Sequence, residues 1–406
     1  VESDRASLVQ PPLPPLALYV HLPWCVRKCP YCDFNSYALR GPVPERTYVD
    51  ALLADLDRDL EQEGAGFADR RLVSVFLGGG TPSLFPARAV ARLLDGVRAR
   101  FPAPFDPEVS LEANPGTVER GRFAELRAAG VNRLSIGVQS FQARLLARIG
   151  RIHGRTEALA AAEEAHQAGF SRLNLDLMYG LPGQTRAEAR DDLLTACALE
   201  PDHVSVYQLT LEPGTPFHRR PPPLPAEDTL WAMQCGAEES LAARGYDRYE
   251  VSAYARAGGQ CRHNRNYWEF GDYLGIGAGA HGKLTRLPEW RVGRYWKQRR
   301  PARYLETASG AQRVAGRSWP GPADLVFEFM MNALRLTGGF APALFEARTG
   351  LPFARAVPAL REAADLGLVR LDVSCVRTTA RGRRFLNEVL VRFLPEGEAR
   401  DRAGAG

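Results

Sequence analysis

The feature that most constrains the fold is a regular alternation of short apolar runs with helical patterns over the first half of the chain. Six apolar runs have the length and residue types of buried parallel strands, at positions 16–20, 72–77, 108–112, 133–138, 172–177 and 203–209. Segments with apolar residues at helical spacing lie between them, at positions 45–60, 118–129, 142–149, 156–168 and 187–199. Such alternation indicates a parallel sheet with right-handed crossovers. Six units predict an α/β fold built as a partial (β/α)6 barrel rather than a closed eightfold barrel.

The second half of the chain changes its pattern. A helical stretch at 224–245 and an extended segment at 246–254 precede a glycine-rich stretch, and we assign 16–282 to the barrel. Residues 283–323 are rich in Arg and Pro, which predicts a connecting segment. Helical patterns follow at 325–336, 340–349, 353–366 and 381–393. A small hairpin, 369–373 with 375–378, precedes the last of them. We therefore predict a smaller, winged-helix-like α+β domain at 324–393, with a proline-rich N-terminus at 1–15 and a polar tail at 394–406.

A winged-helix-like domain also suggests DNA binding, and charge argues against that function. The predicted second helix offers few basic residues, and Glu362 and Asp365 offset Arg355 and Arg361 on the third. The chain has 406 residues and a formal charge of only +5, with its arginines scattered among acidic residues. We therefore predict no nucleic-acid partner.

Composition and hydropathy predict a cytoplasmic protein. Apolar residues make up 45% and charged residues 24% of the chain, as in ordinary globular proteins. No apolar run is long enough to span a bilayer, and the polar start does not read as a signal peptide. In a reducing compartment the seven cysteines are expected to be ligands or buried thiols rather than disulfides.

Three cysteines follow the first predicted strand directly. Cys25, Cys29 and Cys32 have the spacing C-x3-C-x2-C, on the loop at the strand end where α/β barrels carry their active sites. Iron–sulfur clusters are normally held by four thiolates, and Phe34 occupies the next plausible position for a fourth. Three thiolates would leave one iron open to a substrate or cofactor. A structural zinc site is the alternative, but it prefers four protein ligands, and His21 lies before the cysteines.

This loop carries a resemblance to a known family. C-x3-C-x2-C after a first strand resembles the [4Fe-4S] cluster motif of the radical S-adenosylmethionine (SAM) superfamily. The wider string, from Tyr19-Val-His-Leu-Pro-Trp-Cys25 to Cys29-Pro-Tyr-Cys-Asp-Phe-Asn-Ser36, is similar to the oxygen-independent coproporphyrinogen oxidase branch. The oxidase carries a further cysteine where this chain has Phe34. That difference argues against oxidase activity.

Residues after the predicted strands extend the resemblance to a SAM site. Gly78-Gly-Gly-Thr-Pro82 follows the second strand, and glycines there let a backbone approach a ligand closely, although a plain turn would look the same. A carboxylate at a strand end can equally cap the next helix. By resemblance, the SAM-contacting positions are Tyr19, Gly79, Gly80, Thr81, Glu112, Gln139, Arg151 and Asp176.

A second motif, His263-Asn-x-x-Tyr267-Trp268, resembles the H-N-x-x-Y-W motif of the HemW group of haem chaperones within this branch. A histidine beside aromatic residues is often structural, but it can also ligate haem iron while the rings stack on the macrocycle. The resemblance implies haem as cargo, contacts from His263, Tyr267 and Trp268, and delivery to recipient haemoproteins. The rival function is a radical SAM coproporphyrinogen dehydrogenase. The sequence leaves open whether SAM is cleaved, and whether the protein contacts membranes transiently or dimerises with haem.

Overall fold

The computed structural model of the chain describes residues 12–64, 67, 69–116 and 121–394. The predicted tail beyond residue 394, most of the predicted N-terminal segment and the start of the helical pattern at 118–129 lie outside these residues. No described helix is both long and apolar enough to cross a membrane.

Six parallel strands form the centre of the sheet, as predicted. Each pairs in parallel register with the next one along the chain. Their apolar side chains, such as Val75 and Leu111, are fully buried, which is why the strands read as continuous apolar runs. The strands are β1 (Leu16–Leu22), β2 (Leu72–Gly79), β3 (Glu108–Ala113), β4 (Arg133–Gln139), β5 (Leu173–Tyr179) and β6 (His203–Gln208).

Further strands extend the sheet at both edges. Beyond β6 lie β8 (Ala253–Ala255) and then β7 (Asp247–Arg248), both antiparallel. Beyond β1, β9 (Asp272–Ile276) pairs in parallel with β1. Three antiparallel strands follow it, namely β10 (His281–Arg286), β11 (Arg291–Lys297) and β12 (Val314–Ser318). Among the described residues the order is β12-β11-β10-β9-β1-β2-β3-β4-β5-β6-β8-β7.

Helices connect the strands and cover the sheet. Those between the parallel strands are α1 (Glu45–Glu63), α2 (Ala87–Arg98), α3 (Phe123–Ala128), α4 (Ala143–Arg148), α5 (Arg155–Gln167) and α6 (Arg186–Ala198). After β6 come α7 (Pro216–Arg219), α8 (Glu227–Ala242), α9 (Arg262–Trp268) and α10 (Pro301–Thr307). Short 3-10 turns lie at Pro82–Leu84 and Ala311–Arg313. Side chains of β2 to β6 line one cavity, so the parallel strands curve into the predicted partial barrel.

Two regions differ from the prediction. Helix α2 was not predicted, although Val90, Leu93 and Val97 are buried at helical spacing. The segment 283–323, predicted to be a connection, contains most of β10 and all of β11 and β12, which continue the sheet.

Buried charges fasten these extra strands to α1. The Lys297 ammonium, fully buried, donates to both carboxylate oxygens of Asp59, at 2.7 and 2.8 Å, and to Asp55. The Arg313 guanidinium donates to Asp55 at 3.0 Å and to Asp59 at 2.7 Å. Two cations thus face two carboxylates in the interior, so the charges are compensated there.

The C-terminal elements form a second hydrophobic core. They are α11 (Pro322–Ala333), α12 (Pro342–Thr349), α13 (Val357–Asp365), β13 (Val369–Leu371), β14 (Val376–Thr378), α14 (Ala380–Arg384) and α15 (Leu386–Leu390), with 3-10 turns at Phe353–Arg355 and Val391–Phe393. Helices and a two-stranded antiparallel wing agree with the predicted winged-helix-like character. The core includes Phe270 and Val292, through which this domain packs against the barrel.

Candidate functional site

The cysteine loop is closed at its base by a two-residue parallel pairing of Trp24–Cys25 with Tyr37–Ala38. Inside the loop, the Lys28 ammonium donates to the carbonyl of Phe34 at 2.8 Å and to that of Ser36 at 3.2 Å. The Asn35 amide donates to the carbonyls of Ala278 and Arg299, at 2.8 and 2.9 Å. These hydrogen bonds hold the loop against the segments that follow β9 and β11.

All three cysteines of the motif line one cavity of about 450 Å³ at the carboxyl ends of the parallel strands. Burial raises the pKa of Cys25 and of Cys32, and the neighbouring cysteines raise that of Cys25 further. No three His, Cys, Asp or Glu side chains of the described residues converge tightly enough for a single metal ion. A cubane cluster has no such requirement, since each thiolate binds a different iron. The donor set fits a cluster better than zinc.

The glycine segment after β2 lies directly against the cysteine loop. The amide of Gly80 donates to the carbonyl of Leu22, and the amide of Thr81 to that of Trp24, both at 2.8 Å. A Cβ atom at Gly80 would lie 2.6 Å from the Trp24 carbonyl oxygen, so a larger residue does not fit. Gly79 has φ +108°, and a Cβ atom there would collide with the ring of His21. The glycines allow two backbones to meet at the cavity wall.

Two partly buried carboxylates face the same cavity. A Glu112 carboxylate oxygen accepts the Gly79 amide at 3.0 Å, and burial raises the pKa of Glu112 to about 7. Asp176 accepts from the Ser135 hydroxyl at 3.0 Å and from the Asn174 amide at 2.8 Å, and burial raises its pKa as well. Neither carboxylate forms an ion pair with a cation among the described residues. Both can therefore receive a cationic or hydroxyl-bearing ligand.

Arg151 connects the cysteines to the strand ends. Its guanidinium donates to the Asn114 side chain and to the Gly137 carbonyl, both at 2.6 Å, and one nitrogen lies 3.9 Å from the Cys29 sulfur. The Arg151 Nε atom is buried and has no hydrogen-bond partner among the described residues, so its N–H can donate one further hydrogen bond. Gln139 lines the cavity with φ +68°, a strained conformation for a residue other than glycine.

Seven of the eight predicted SAM residues thus line the cysteine cavity. Tyr19 does not: it lines a second cavity instead, and its hydroxyl contacts His21 Nδ1 at 3.0 Å. The ligand roles of these residues stay predictions. Sequence reasoning missed the groups that hold them in place, namely Asn114, Ser135 and Asn174, because isolated amides and hydroxyls carry no spacing signal.

The H-N-x-x-Y-W motif lies on α9 and divides between two environments. Tyr267 lines the second cavity. His263 is only 2% exposed, stacks on Phe76 with ring centroids 4.8 Å apart, and contacts the Ser74 hydroxyl through Nδ1 at 2.9 Å. Burial lowers the pKa of His263 to about 3, so the imidazole is neutral. Its Nε2 atom is buried without a hydrogen-bond partner among the described residues.

Trp268, the last residue of the motif, lines neither cavity. The Arg335 guanidinium, in the segment that follows α11 of the C-terminal domain, lies over its ring, 4.2 Å from the centroid. In the structure, the motif's tryptophan therefore makes an interdomain contact. A haem contact from Trp268, like that from His263, stays a prediction.

Comparison with known proteins agrees with this geometry. Residues 19–196 match the Radical SAM superfamily, and residues 322–385 match the HemN C-terminal domain. The chain is 49% identical to the heme chaperone HemW of Escherichia coli, with 95% of this chain and 99% of that protein covered. The chain belongs to the HemW family of radical SAM proteins. HemW of Haemophilus influenzae is 46% identical, with 95% of this chain and all of that protein covered.

The fold also has a solved counterpart. The structure of coproporphyrinogen III oxidase (HemN) from Escherichia coli, a radical SAM enzyme, matches with a TM-score of 0.78 at 25% identity, over 95% of this chain and 91% of that chain. The predicted radical SAM barrel with a C-terminal domain is confirmed. Radical SAM membership implies a [4Fe-4S] cluster and SAM, and the cysteine cavity has the residues to receive both.

Proposed function

We propose that this protein is a haem chaperone, which binds haem and delivers it to recipient haemoproteins. The observation that carries the proposal is full-length similarity to proteins named heme chaperone HemW, at 49% and 46% identity. In this proposal Cys25, Cys29 and Cys32 hold the [4Fe-4S] cluster. The chemistry that such a cluster supplies, when bound, is coordination of SAM at the iron without a cysteine and electron transfer to it.

The residues of the cysteine cavity support a role in binding SAM. Arg151 is placed to pair with a carboxylate, and Asp176 can accept hydrogen bonds from hydroxyl groups. Glu112 offers a partly buried carboxylate next to the Gly79 backbone, where a cationic ligand would favour its ionised form. The glycine segment lets the ligand approach the backbone closely.

Phe34 favours the chaperone over the dehydrogenase. It stands where the oxidase branch has a further cysteine, and it lines the cysteine cavity with 58% of its surface exposed. An apolar ring at that position can neither bind iron nor transfer a proton or hydrogen atom as a thiol does. It offers instead a surface for an apolar macrocycle.

Anaerobically reconstituted protein titrated with ferric haem, then assayed with coproporphyrinogen and SAM on the same sample, tests the proposal. We expect stoichiometric haem binding without conversion to protoporphyrinogen. Robust turnover without stable haem binding would overturn the chaperone function and establish the dehydrogenase. A Phe34→Cys variant is the matched comparison, because it restores the cysteine of the oxidase branch at an exposed position.

A further inference from the structure

A second cavity, of about 720 Å³, lies next to the cysteine cavity and contains none of the three motif cysteines. Its walls come from β1, α9 and the added strands β9 to β11. Phe34, Gly79 and Glu112 line both cavities, so the two share one wall. The second cavity exists because the sheet continues beyond β1.

Aromatic rings dominate this cavity. Tyr267 and Tyr273 pack edge to face, with ring centroids 4.4 Å apart. Trp296 lies close against β12, where a Cβ atom at Gly316 would come 2.1 Å from its ring. Gly316 thus makes room for the indole. Rigid aromatic walls of this kind suit a flat, largely apolar ligand.

Two histidines line the cavity and a third lies behind its wall, and they differ in whether a ring nitrogen is free. His21 uses both nitrogens, with the Tyr19 hydroxyl and the Asn35 carbonyl each at 3.0 Å. His263 contacts Ser74 through Nδ1 and has no partner for Nε2 among the described residues, but it is buried and does not line the cavity. His281 is exposed, and neither of its nitrogens makes a hydrogen bond to the part of the chain that the structure describes.

The ring of His281 is nevertheless oriented. It stacks on Trp296, its cross-strand partner between β10 and β11, with centroids 6.2 Å apart and an interplanar angle of 27°. Partial burial and the nearby guanidinium groups of Arg294 and Arg299 lower the pKa of His281. These effects favour the neutral imidazole, the form that binds a metal.

Positive charge is available at the same cavity. Arg299 is exposed, and its only hydrogen bond from the guanidinium runs from Nε to the Asn35 side chain at 3.4 Å, within the described residues. Its two terminal nitrogens are free to bind a carboxylate. Arg294, by contrast, is held by Glu328 at 2.7 Å and by the Tyr273 hydroxyl at 3.2 Å.

We propose that this second cavity is the haem site, with His281 as the iron ligand and Arg299 as the partner of a haem propionate. The assignment rests on the proposed haem-binding function and names its site. A haem site requires an imidazole with a free nitrogen, aromatic walls and an unpaired cation in one cavity. His281 supplies the imidazole, Trp296 an aromatic wall and Arg299 the cation. His263, in the layer behind Tyr267, then acts as a positioning residue for the cavity wall.

The test is a ferric haem titration followed by absorption and electron paramagnetic resonance spectra of six proteins. These are the wild type, His281→Ala, His281→Met, His263→Ala, Arg299→Gln and His166→Ala, the last being an exposed control histidine on α5. We expect His281→Ala to lose the histidine-ligated spectrum and to weaken haem binding at least about tenfold. His281→Met should bind haem with a changed spectrum, because the ligand atom has changed.

The other variants separate ligation from positioning. His263→Ala and His166→Ala should keep the wild-type ligand spectrum, and Arg299→Gln should weaken haem binding while leaving the spectrum unchanged. An unchanged spectrum in His281→Ala would overturn the assignment, whether or not affinity falls. Cluster content and circular dichroism confirm that each variant is folded. If the wild type itself binds no haem, the proposed function fails instead.

Discussion

Glu112→Gln should remove most of the pH dependence of SAM binding. The Glu112 carboxyl is partly buried at the cavity wall, and burial raises its pKa to about 7. The folded protein without ligand therefore holds this proton up to neutral pH, whereas SAM carries a positive sulfonium and favours the ionised carboxylate. With a pKa of about 7, the ionised fraction rises from about 9% at pH 6 to about 91% at pH 8. The Kd for SAM should fall about tenfold across that interval, or about 1.4 kcal/mol.

The raised pKa of Glu112 also makes the stability of the ligand-free protein depend on pH. Because the folded-state pKa lies above that of an unfolded glutamate, the contribution of Glu112 to stability is fully present below the ordinary pKa and is lost as pH rises through about 7. SAM should offset that loss by binding the ionised form. Thermal stability measured with and without SAM should thus diverge as pH rises from 6 to 8.

The assay is calorimetric or equilibrium-dialysis measurement of SAM binding at pH 6, 7 and 8, on anaerobically reconstituted protein of equal cluster content. Glu61→Gln, an exposed change on α1, is the matched control and should behave as the wild type. Glu112→Gln should bind more weakly at pH 8, with a shallower pH profile. If the variant keeps the full wild-type profile, Glu112 does not supply the titrating group and the reasoning is refuted.

The remaining predictions concern the cluster, the core and the backbone contact. Cluster assembly, measured as iron and sulfide content, should be abolished by each of Cys25→Ala, Cys29→Ala and Cys32→Ala. The control Cys375→Ala should retain the cluster. A full cluster in any of the first three variants would contradict the proposed ligands. Lys297→Ala removes a cation from two buried carboxylates and should lower the free energy of unfolding, measured by denaturant titration, by about 3–5 kcal/mol. The control Arg303→Ala breaks an exposed ion pair and should lower it by under about 1 kcal/mol. Gly80→Ala places a Cβ atom 2.6 Å from the Trp24 carbonyl oxygen and so forces the glycine segment away from the cysteine loop. SAM affinity should fall while secondary structure by circular dichroism persists. Unchanged affinity would show that this contact between the two backbones is not needed for SAM binding.

The parallel core could be predicted because its signal is local. Residues such as Val75 and Leu111 are buried in short apolar runs, and hydropathy detects them directly. The three cysteines were found in the same way, since their spacing is contiguous. A prediction from pattern succeeds where the structural cause lies within a few residues of sequence.

The added strands could not be predicted from hydropathy, because charged residues such as Lys297 occupy buried positions on them. Lys297 and Arg313 look like surface residues in the sequence, yet both contact Asp55 and Asp59 more than 230 positions away. The sequence does not show which charged residues pair in the interior, so it cannot predict that they are buried. The second cavity depends on these strands, so it could not be predicted either.

The aromatic motif illustrates a different limit. The sequence brings His263, Tyr267 and Trp268 together in one motif, but it predicted neither the short helix that carries them nor the side to which each residue turns. The fold buries His263 beside Ser74, turns Tyr267 to the second cavity and places Trp268 under Arg335. Only tertiary packing separates those three roles.

The most direct test of the account is haem transfer. Protein loaded with one equivalent of haem is mixed with an apo-haemoprotein whose holo spectrum differs from its own, and the spectra are followed with and without SAM. We expect the acceptor to gain haem in step with its loss from this protein, and faster than haem leaves the protein when the acceptor is absent. Transfer no faster than that spontaneous release would contradict the delivery function, even if haem binding itself were tight.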